Sequence, residues 1–287
     1  MEPSTPNAEA IAVWNEILVP KFVRFRSVLV DGLGSHGSAA LDRFAIAPGE
    51  RILDVGCGFG DTTIELAKRT GPAGSALGID CCEAFLDYGR KDARAAGITN
   101  ASFAVADAQT ETFPPEFDLC FSRFGTMFFQ SPVAAMRNLS GALKPGGRLL
   151  IVVWRTIDDN DWLGLSKRIA QKHLPPPPED GRNCGPGPFS MADRETVTEI
   201  LERAGFSEPE FSRIDRDVWI GRDAKDAVEF EMALGPAGEI VREAGELAEK
   251  KRPLIEADLL EMLGRYAGPN GVVMPSSSWA ITARRPG

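Results

Sequence analysis

Alternating glycines at positions 56, 58 and 60 mark the stretch of this sequence best suited to holding a ligand. Residues 51–67 read RILDVGCGFGDTTIELA, in which a short apolar run ends in the glycines and a helical pattern follows at once. Glycine lets the backbone approach a ligand closely, and the helix beyond presents unpaired N–H groups at its N-terminus. The spacing therefore predicts a strand, a tight turn and a helix that face a ligand, although a purely structural turn would have the same pattern.

The residue after the last glycine narrows the kind of ligand. The dinucleotide-binding motif G-x-G-x-x-G would need a glycine where this chain has Asp61. A negative side chain at that position disfavours a pyrophosphate. It is compatible with a ligand that has no phosphate.

Polar residues also end the next three predicted strands. Asp80 closes the second strand, Asp107 and Ala108 follow the third, and Ser122 and Arg123 follow the fourth. The carboxyl ends of parallel strands share one edge of an open α/β sheet, which is the edge that binds ligands. We therefore expect a carboxylate that accepts ribose hydroxyls at Asp80, and a side chain and an N–H group that bracket an adenine edge at 107–108.

The elements that must position these residues alternate between strand and helix. Apolar runs at 52–55, 75–79, 102–106, 117–121 and 148–154 predict strands, separated by helical patterns at 61–69, 83–96 and 133–143. Alternation of this kind predicts an α/β fold with a Rossmann-like, doubly wound, mostly parallel sheet. A helical cap precedes the sheet, and helical insertions follow it.

These patterns divide the chain into six predicted segments. They are an N-terminal helical cap (1–50), a ligand-binding core (51–154), an irregular lid or insertion rich in proline and glycine (155–190), a continuation of the core (191–222), a charged helical insertion (223–270) and a final core strand (271–287). Within the helical insertion, Pro253 is expected to open a second helix. The two apolar faces of this insertion suggest a homodimer interface.

Composition excludes several classes of partner. The net charge of −9 and the lack of a basic run argue against nucleic-acid binding. No apolar stretch is long enough to span a membrane, and residues 1–10 do not resemble a signal peptide. Five cysteines without paired spacing, and only two histidines, favour reduced thiols in the cytoplasm and argue against a structural zinc site.

Taken together, these motifs resemble those of a known enzyme family. D-x-G-x-G-x-G, Asp80, Asp107-Ala108 and the sequence KPGG at 144–147 resemble the class I S-adenosylmethionine-dependent methyltransferases. The stretches FSRFGTMFF, LKPGGRLLIVVW and PGPFSMAD are similar to a bacterial small-molecule group related to the ubiquinone and menaquinone C-methyltransferases. The resemblance implies S-adenosylmethionine as cofactor, S-adenosylhomocysteine as product, and a small-molecule methyl acceptor.

The resemblance also assigns roles to individual residues. It places Gly56, Cys57 and Gly58 against the methionine portion of the cofactor, and Asp54 behind them, ordering the loop or a water molecule. Asp80 would bind the ribose beside Cys81, Asp107 and Ala108 would bind the adenine, and Ser122 and Arg123 would lie near the sulfonium. The segment VWNEILVPKFVRF resembles a helix that closes over the cofactor, with Trp14 and Asn15 matching and Phe22 in place of a second tryptophan.

Methyl transfer needs a base only if the acceptor must lose a proton, and no catalytic residue is assigned. His36, in what resembles a surface turn, and His173 are candidates by their ordinary pKa, and Arg123 could orient an anionic or carbonyl acceptor. Three acids at 158, 159 and 161 crowd the loop after the fifth strand, where solvated side chains are the simpler explanation. Apolar residues that could line a pocket for a flat acceptor, or simply form core, are Phe124, Met127, Phe128, Trp154 and Trp162.

Three alternatives remain at this stage. A nicotinamide-dependent oxidoreductase would share the sheet and the acidic ribose site, but Asp61 and the lack of a hydride-transfer motif argue against it. A methyltransferase acting on RNA or protein is disfavoured by the acidic composition and the helical insertions. A protein that binds the cofactor without catalysis would look the same in sequence, because this fold requires no particular residue for the transfer step.

Overall fold

A single mixed sheet organises the chain in the computed structural model, which describes residues 7–175 and 187–287. Its strand order is β3-β2-β1-β4-β5-β8-β6, with β7 paired to β8. The strands are β1 (Arg51–Val55), β2 (Ser75–Asp80), β3 (Ala101–Val105), β4 (Phe117–Arg123), β5 (Leu143–Trp154), β6 (Ser207–Gly221), β7 (Ala267–Gly268) and β8 (Gly271–Arg284). Strands β1 to β5 are parallel, and β8 runs antiparallel to both β5 and β6.

Helices cover both faces of this sheet, as the predicted Rossmann-like fold requires. Alternate residues of β1 enter two different apolar clusters: Leu53 and Val55 pack into one and Ile52 into the other. The helices are α1 (Ala8–Val13), α2 (Val19–Arg24), α3 (Gly34–Arg43), α4 (Asp61–Thr70), α5 (Glu83–Ala95), α6 (Pro132–Ala142), α7 (Asp161–His173), α8 (Arg194–Arg203), α9 (Ala224–Leu234), α10 (Pro236–Glu243) and α11 (Gly245–Gly264). Two-sided burial explains why the parallel strands read as continuous apolar runs rather than alternating ones.

Local sequence accounts for the ends of several elements. Asp193 caps α8 by accepting the Thr196 backbone N–H at 2.8 Å. Helix α6 ends at Ala142, before the KPGG sequence, and Gly146 has a φ of +77°. The predicted final strand is present and spans Gly271–Arg284.

Two local predictions are wrong. The segment 155–190 was expected to be irregular, but residues 161–173 form α7, whose Trp162 and Ile169 are buried in the core. Pro253 does not open a helix and lies inside the 20-residue α11. The prolines at 176–178, with the rest of 176–186, lie outside the described residues. Among the described helices, none combines the length and hydrophobicity that a bilayer crossing requires.

Candidate functional site

The glycine turn lies where β1 and β4 diverge, at the carboxyl edge of the parallel strands. The strand order reverses between β1 and β4, and open α/β sheets bind ligands at such a point. Gly56, Gly58 and Gly60 all have positive φ, at +64°, +53° and +78°. A Cβ atom on Gly58 would meet no neighbour within 4 Å, whereas one on Gly60 would lie 2.5 Å from the Phe103 ring.

Asp80 is fixed at the end of β2 by two backbone groups. One carboxylate oxygen accepts the Gly58 N–H and the other accepts the Cys82 N–H, each at 3.0 Å. Burial raises the pKa of Asp80, while these hydrogen bonds oppose that shift. A carboxylate has about four lone-pair sites, so each oxygen of Asp80 retains capacity for a ligand hydroxyl.

Asp54 lies beneath the same turn and is fully buried. Its Oδ2 accepts the hydroxyl protons of Thr62 and Thr63 at 2.9 and 2.6 Å, which ties β1 to the first turn of α4. Its Oδ1 has no partner among the described residues. Burial raises the pKa of Asp54 to about 6, against the lowering effect of the two threonine hydrogen bonds. The free oxygen suits a positively charged group or a water molecule above the turn.

The end of β3 presents a partly buried carboxylate in a tight turn. Oδ1 of Asp107 accepts the Gln109 N–H at 3.0 Å, and Oδ2 accepts from the Asn7 amide and the Thr110 hydroxyl, each at 3.3 Å. The next residue, Ala108, is buried.

The N-terminal helices lie over this edge of the sheet. The side-chain amide of Asn15 donates to the Cys81 carbonyl at 3.4 Å, and the Trp14 ring packs edge-on against Phe22 at 5.3 Å and Phe128 at 5.1 Å. The backbone at Trp14–Leu18 is π-helical, a widening that is frequent at functional sites.

Two cysteines border the Asp80 carboxylate. The Sγ atoms of Cys81 and Cys82 lie 3.8 Å apart, with Cys81 partly exposed and Cys82 buried. The hydrogen bond to the Cys81 thiol, and then burial, raise the pKa of Cys82. Cys57, in the glycine turn, is also buried, and burial in the presence of Asp54 raises its pKa.

Comparison with known proteins agrees with this geometry. Residues 52–147 match the family described as methyltransferase domain. Residues 52–147 of this chain are therefore similar to a methyltransferase domain. The fold of the chain is that of phosphoethanolamine N-methyltransferase 2 from Haemonchus contortus, solved with phosphomonomethylethanolamine and S-adenosylhomocysteine, at a TM-score of 0.52, 20% identity and coverage of 88% of this chain and 53% of that one.

Two curated proteins are similar in sequence to part of this chain. Aklanonic acid methyltransferase DauC from Streptomyces sp. (strain C5) is 36% identical over 102 residues, which are 35% of this chain and 46% of that protein. The ubiquinone/menaquinone biosynthesis C-methyltransferase UbiE from Ectopseudomonas mendocina is 31% identical over 153 residues, which are 52% of this chain and 60% of that protein. The similarity thus spans about half the length of these relatives.

The residues at this edge of the sheet fit S-adenosylmethionine. The open space beside Gly58 would accept the amino-acid portion of the cofactor. The Asp80 carboxylate, which has free lone pairs, would accept the ribose hydroxyls, and the unpaired oxygen of Asp54 would suit the ammonium group. The fold therefore brings Gly58, Asp80 and Asp54 together at one edge of the parallel sheet. Their contacts with the cofactor remain a proposal.

Ser122 and Arg123 form hydrogen bonds within the protein. Ser122 is buried and donates its hydroxyl to the Val55 carbonyl at 2.7 Å. Arg123 donates to both carboxylate oxygens of Asp61, at 2.7 and 3.2 Å. Burial by itself would lower the pKa of Arg123, but the ion pair with Asp61 outweighs it and the net shift is upward. A Cβ on Gly37 would lie 2.9 Å from Arg123 Cδ, so α3 packs directly on the ion pair.

The prediction of a surface turn at His36 is wrong. His36 lies in α3 and is fully buried between two serine hydroxyls, with Nδ1 2.7 Å from Ser278 Oγ and Nε2 2.7 Å from Ser276 Oγ. Ser276 donates its own proton to the Arg216 carbonyl, so Nε2–H must donate to Ser276 and Nδ1 must accept from Ser278. Burial lowers the pKa of His36 to about 4, with Arg216 and Arg123 contributing.

His173 and two acids of the loop after β5 pair with side chains of the protein. His173 Nε2 is 2.9 Å from Asp258, which joins α7 to α11. Asp158 and Asp159 pair with arginines at 3.6 and 3.3 Å, and Asp158 is largely exposed. Asp159 is therefore paired with Arg155 rather than only solvated, and a catalytic role for His173 stays a prediction.

Three of the five apolar residues singled out from sequence are buried in the core. Met127, Trp154 and Trp162 are at most 4% exposed, whereas Phe124 and Phe128 are partly exposed. Phe124 stacks on Trp154 at 3.8 Å between ring centroids and has a positive φ of 59°, which is rare for a bulky residue. Strained backbone of this kind clusters at functional sites.

Sequence reasoning missed two buried polar residues. Asn160 is fully buried and holds β8 to the loop after β5, accepting the Ser277 N–H at 3.0 Å and donating to the Ser277 carbonyl at 3.1 Å. Glu231, in α9, is also fully buried, and neither carboxylate oxygen has a hydrogen-bond partner among the described residues. The one signal for Glu231 was its place beside Phe230 on the apolar face of α9.

Proposed function

We propose that this chain is an S-adenosylmethionine-dependent methyltransferase that transfers a methyl group to O, N or C of a small, aromatic or otherwise apolar acceptor. The observation that supports it most directly is the coincidence of the methyltransferase-domain match over 52–147 with the cleft built by Gly58, Asp80 and Asp54. The activity of the whole protein is inferred, since its relatives are matched over about half their length.

In this proposal each end of the cleft holds one part of the cofactor. Asp80 accepts the ribose hydroxyls, and Asp107 accepts the adenine amino group while the Ala108 N–H donates to the ring. Cys81 lies beside the adenine. At the other end, the turn of Gly56, Cys57 and Gly58 holds the methionine portion, with Asp54 acting from beneath.

The bound cofactor supplies a methyl group on a positively charged sulfur, which leaves as a neutral thioether. The protein has mainly to align donor and acceptor, and alignment of this kind supplies roughly 7–11 kcal/mol of barrier lowering. In this proposal the N-terminal helices at Trp14 and Asn15, together with α7 and α9–α11, exclude water from the bound reactants. His36 and Arg123 support the cleft rather than act as a base, since their polar atoms are already bound.

The acceptor is a small molecule in this proposal. DauC and UbiE are named for aklanonic acid and for ubiquinone and menaquinone biosynthesis. Phe124 and Phe128, partly exposed after β4, offer apolar surface beside the cleft. We place the enzyme in the cytoplasm, acting as a homodimer and without a nucleic-acid partner.

Calorimetric titration with S-adenosylhomocysteine and, separately, with NAD tests the proposal. We expect micromolar binding of S-adenosylhomocysteine alone, weakened at least tenfold by Asp80→Ala. The control Asp87→Ala changes an exposed carboxylate on α5 and should bind like the parent. Binding of NAD, or equal binding by the Asp80 variant, would refute the assignment. Detection of S-adenosylhomocysteine formed in the presence of hydroxylated aromatic acceptors then separates an enzyme from a binding protein.

A further inference from the structure

Asp80, Cys81 and Cys82 form a cluster of metal-binding atoms at the carboxyl end of β2. One carboxylate oxygen and the two Sγ atoms all lie within 4.8 Å of one another. Asp80 and Cys81 are partly exposed and Cys82 is buried, so the cluster is open on one side. None of the ion pairs among the described residues involves Asp80.

The spacing of the sulfur atoms suits a thiophilic cation. Zinc–sulfur bonds are about 2.3 Å long, and tetrahedral geometry then separates two sulfur ligands by roughly 3.8 Å. The Sγ atoms of Cys81 and Cys82 are 3.8 Å apart. Cys82 precedes the 13-residue α5, so the positive end of that helix dipole would stabilise metal-bound thiolates there. In the metal-free protein the hydrogen bond to Cys81 and burial raise the pKa of Cys82, so the thiols lose their protons only when a metal binds.

We propose that Asp80, Cys81 and Cys82 bind a thiophilic divalent cation such as Zn²⁺ or Cd²⁺. The two thiols release their protons to solvent as the metal–sulfur bonds form, no electron is transferred, and water completes the coordination. This open site with three protein ligands differs from the closed, four-ligand structural zinc site that the cysteine spacing argues against.

The cation and the nucleoside of the cofactor exclude each other, because both require the Asp80 carboxylate. This second statement rests on the proposed function. It makes the methyltransferase domain sensitive to thiophilic metals at its cofactor cleft rather than at its acceptor pocket.

Titration of the reduced protein with Zn²⁺, in a phosphine reductant, tests the site without any cofactor. We expect one ion per chain, and Cd²⁺ in its place should give the near-ultraviolet absorption of a sulfur-to-metal charge transfer. Cys81→Ser and Cys82→Ser should each weaken binding at least tenfold. Cys120→Ser and Cys184→Ser are the matched controls and should leave it unchanged.

Circular dichroism identifies any variant that does not fold. If Cys82→Ser fails, the Cys81 variant decides alone, since its side chain is partly exposed. The site is overturned if the parent protein does not bind Zn²⁺, or if the Cys81 variant binds it as tightly. In a competition arm, saturating S-adenosylhomocysteine should weaken Zn²⁺ binding at least tenfold. Undiminished Zn²⁺ binding with S-adenosylhomocysteine bound would overturn the exclusion alone, whereas failure to bind S-adenosylhomocysteine would count against the proposed function.

Discussion

At the scale of single residues, the fold accommodates two buried titratable groups in opposite ways. His36 is neutral because both ring nitrogens are hydrogen-bonded and because burial lowers its pKa to about 4. Neither carboxylate oxygen of Glu231 has a hydrogen-bond partner of good geometry among the described residues. Burial raises the pKa of Glu231 to about 8, against the lowering effect of the nearby Ser166 hydroxyl, and so favours the protonated carboxyl group at neutral pH.

Glu231 should make the protein less stable as pH rises. Its folded-state pKa of about 8 lies above the ordinary value of 4.5, so the folded state retains a proton that the unfolded state loses. The stabilisation that comes from this retained proton is full below pH 4.5 and is lost as pH rises through about 8. The change in the free energy of unfolding over this range is on the order of 5 kcal/mol. Urea unfolding from pH 5 to 9 measures the free energy of unfolding at each pH. This free energy should vary much less with pH in Glu231→Gln than in the parent.

Glu239→Gln is the matched control for this experiment, because Glu239 is exposed on the neighbouring α10. Its pH dependence should follow that of the parent. The quantity compared is the slope of the free energy of unfolding against pH, rather than its absolute value. The cost of burying the glutamine amide does not change with pH and so does not affect this slope. Parallel curves for the parent and Glu231→Gln would show that Glu231 is already ionised or hydrogen-bonded in the folded protein.

His36 should act with the opposite sign. Its folded-state pKa of about 4 lies below the ordinary 6.5, so its contribution is present above pH 6.5 and is lost as pH falls through about 4. Arg216 and Arg123 favour the neutral ring, and Asp215 opposes them. In NMR titrations the His36 ring resonances, assigned by their loss in His36→Gln, should change only near pH 4. A midpoint near 6.5 would contradict a buried, neutral imidazole.

At the scale of elements, α11 differs most from what its sequence predicts. Proline lacks the N–H of a helical hydrogen bond and so was expected at a first turn, yet Pro253 is internal to Gly245–Gly264. Buried Ile255, Leu259 and Leu263 on one face supply packing that overrides the local preference. The same override explains α7, where tertiary contacts order a segment that composition had made look irregular.

Replacement of Pro253 should therefore stabilise the protein. Pro253→Ala restores a backbone donor on an exposed helix surface, and we expect a gain of about 1–3 kcal/mol, reduced by the greater freedom of the unfolded chain. Thermal and urea unfolding measure it, with Lys250→Ala as an exposed control on the same helix. A loss of stability in the Pro253 variant would mean that the proline shapes a bend that the packing needs.

At the scale of the whole molecule, α11 presents apolar residues to solvent. Leu247 and Leu254 are 45% and 51% exposed and lie seven residues apart, on one side of the helix. We expect this surface to form the homodimer interface proposed above. Sedimentation equilibrium should give a dimer for the parent and a monomer for Leu254→Glu, with Lys250→Glu as the charge control. A monomeric parent would refute the interface.

The sheet and the outline of the cleft followed from sequence. Apolar runs of strand length, separated by helical patterns, determine a parallel sheet, and parallel strands must place Asp80, Asp107 and the glycine turn at one edge. The positive φ values at Gly56, Gly58 and Gly60 were likewise implied by glycine spacing. These features depend on local periodicity and chain direction, which sequence encodes directly.

Only the tertiary structure decided which polar side chains are free to bind a ligand and which are bound within the protein. Arg123 lay at the correct strand end, but Asp61 and the glycines of α3 bind and cover it. His36 lies in a glycine-rich segment that resembles a turn, yet serines of β8, more than 200 residues away, enclose it. The physical reason is that burial and hydrogen bonding depend on partners distant in the chain, whereas sequence patterns report only on neighbours.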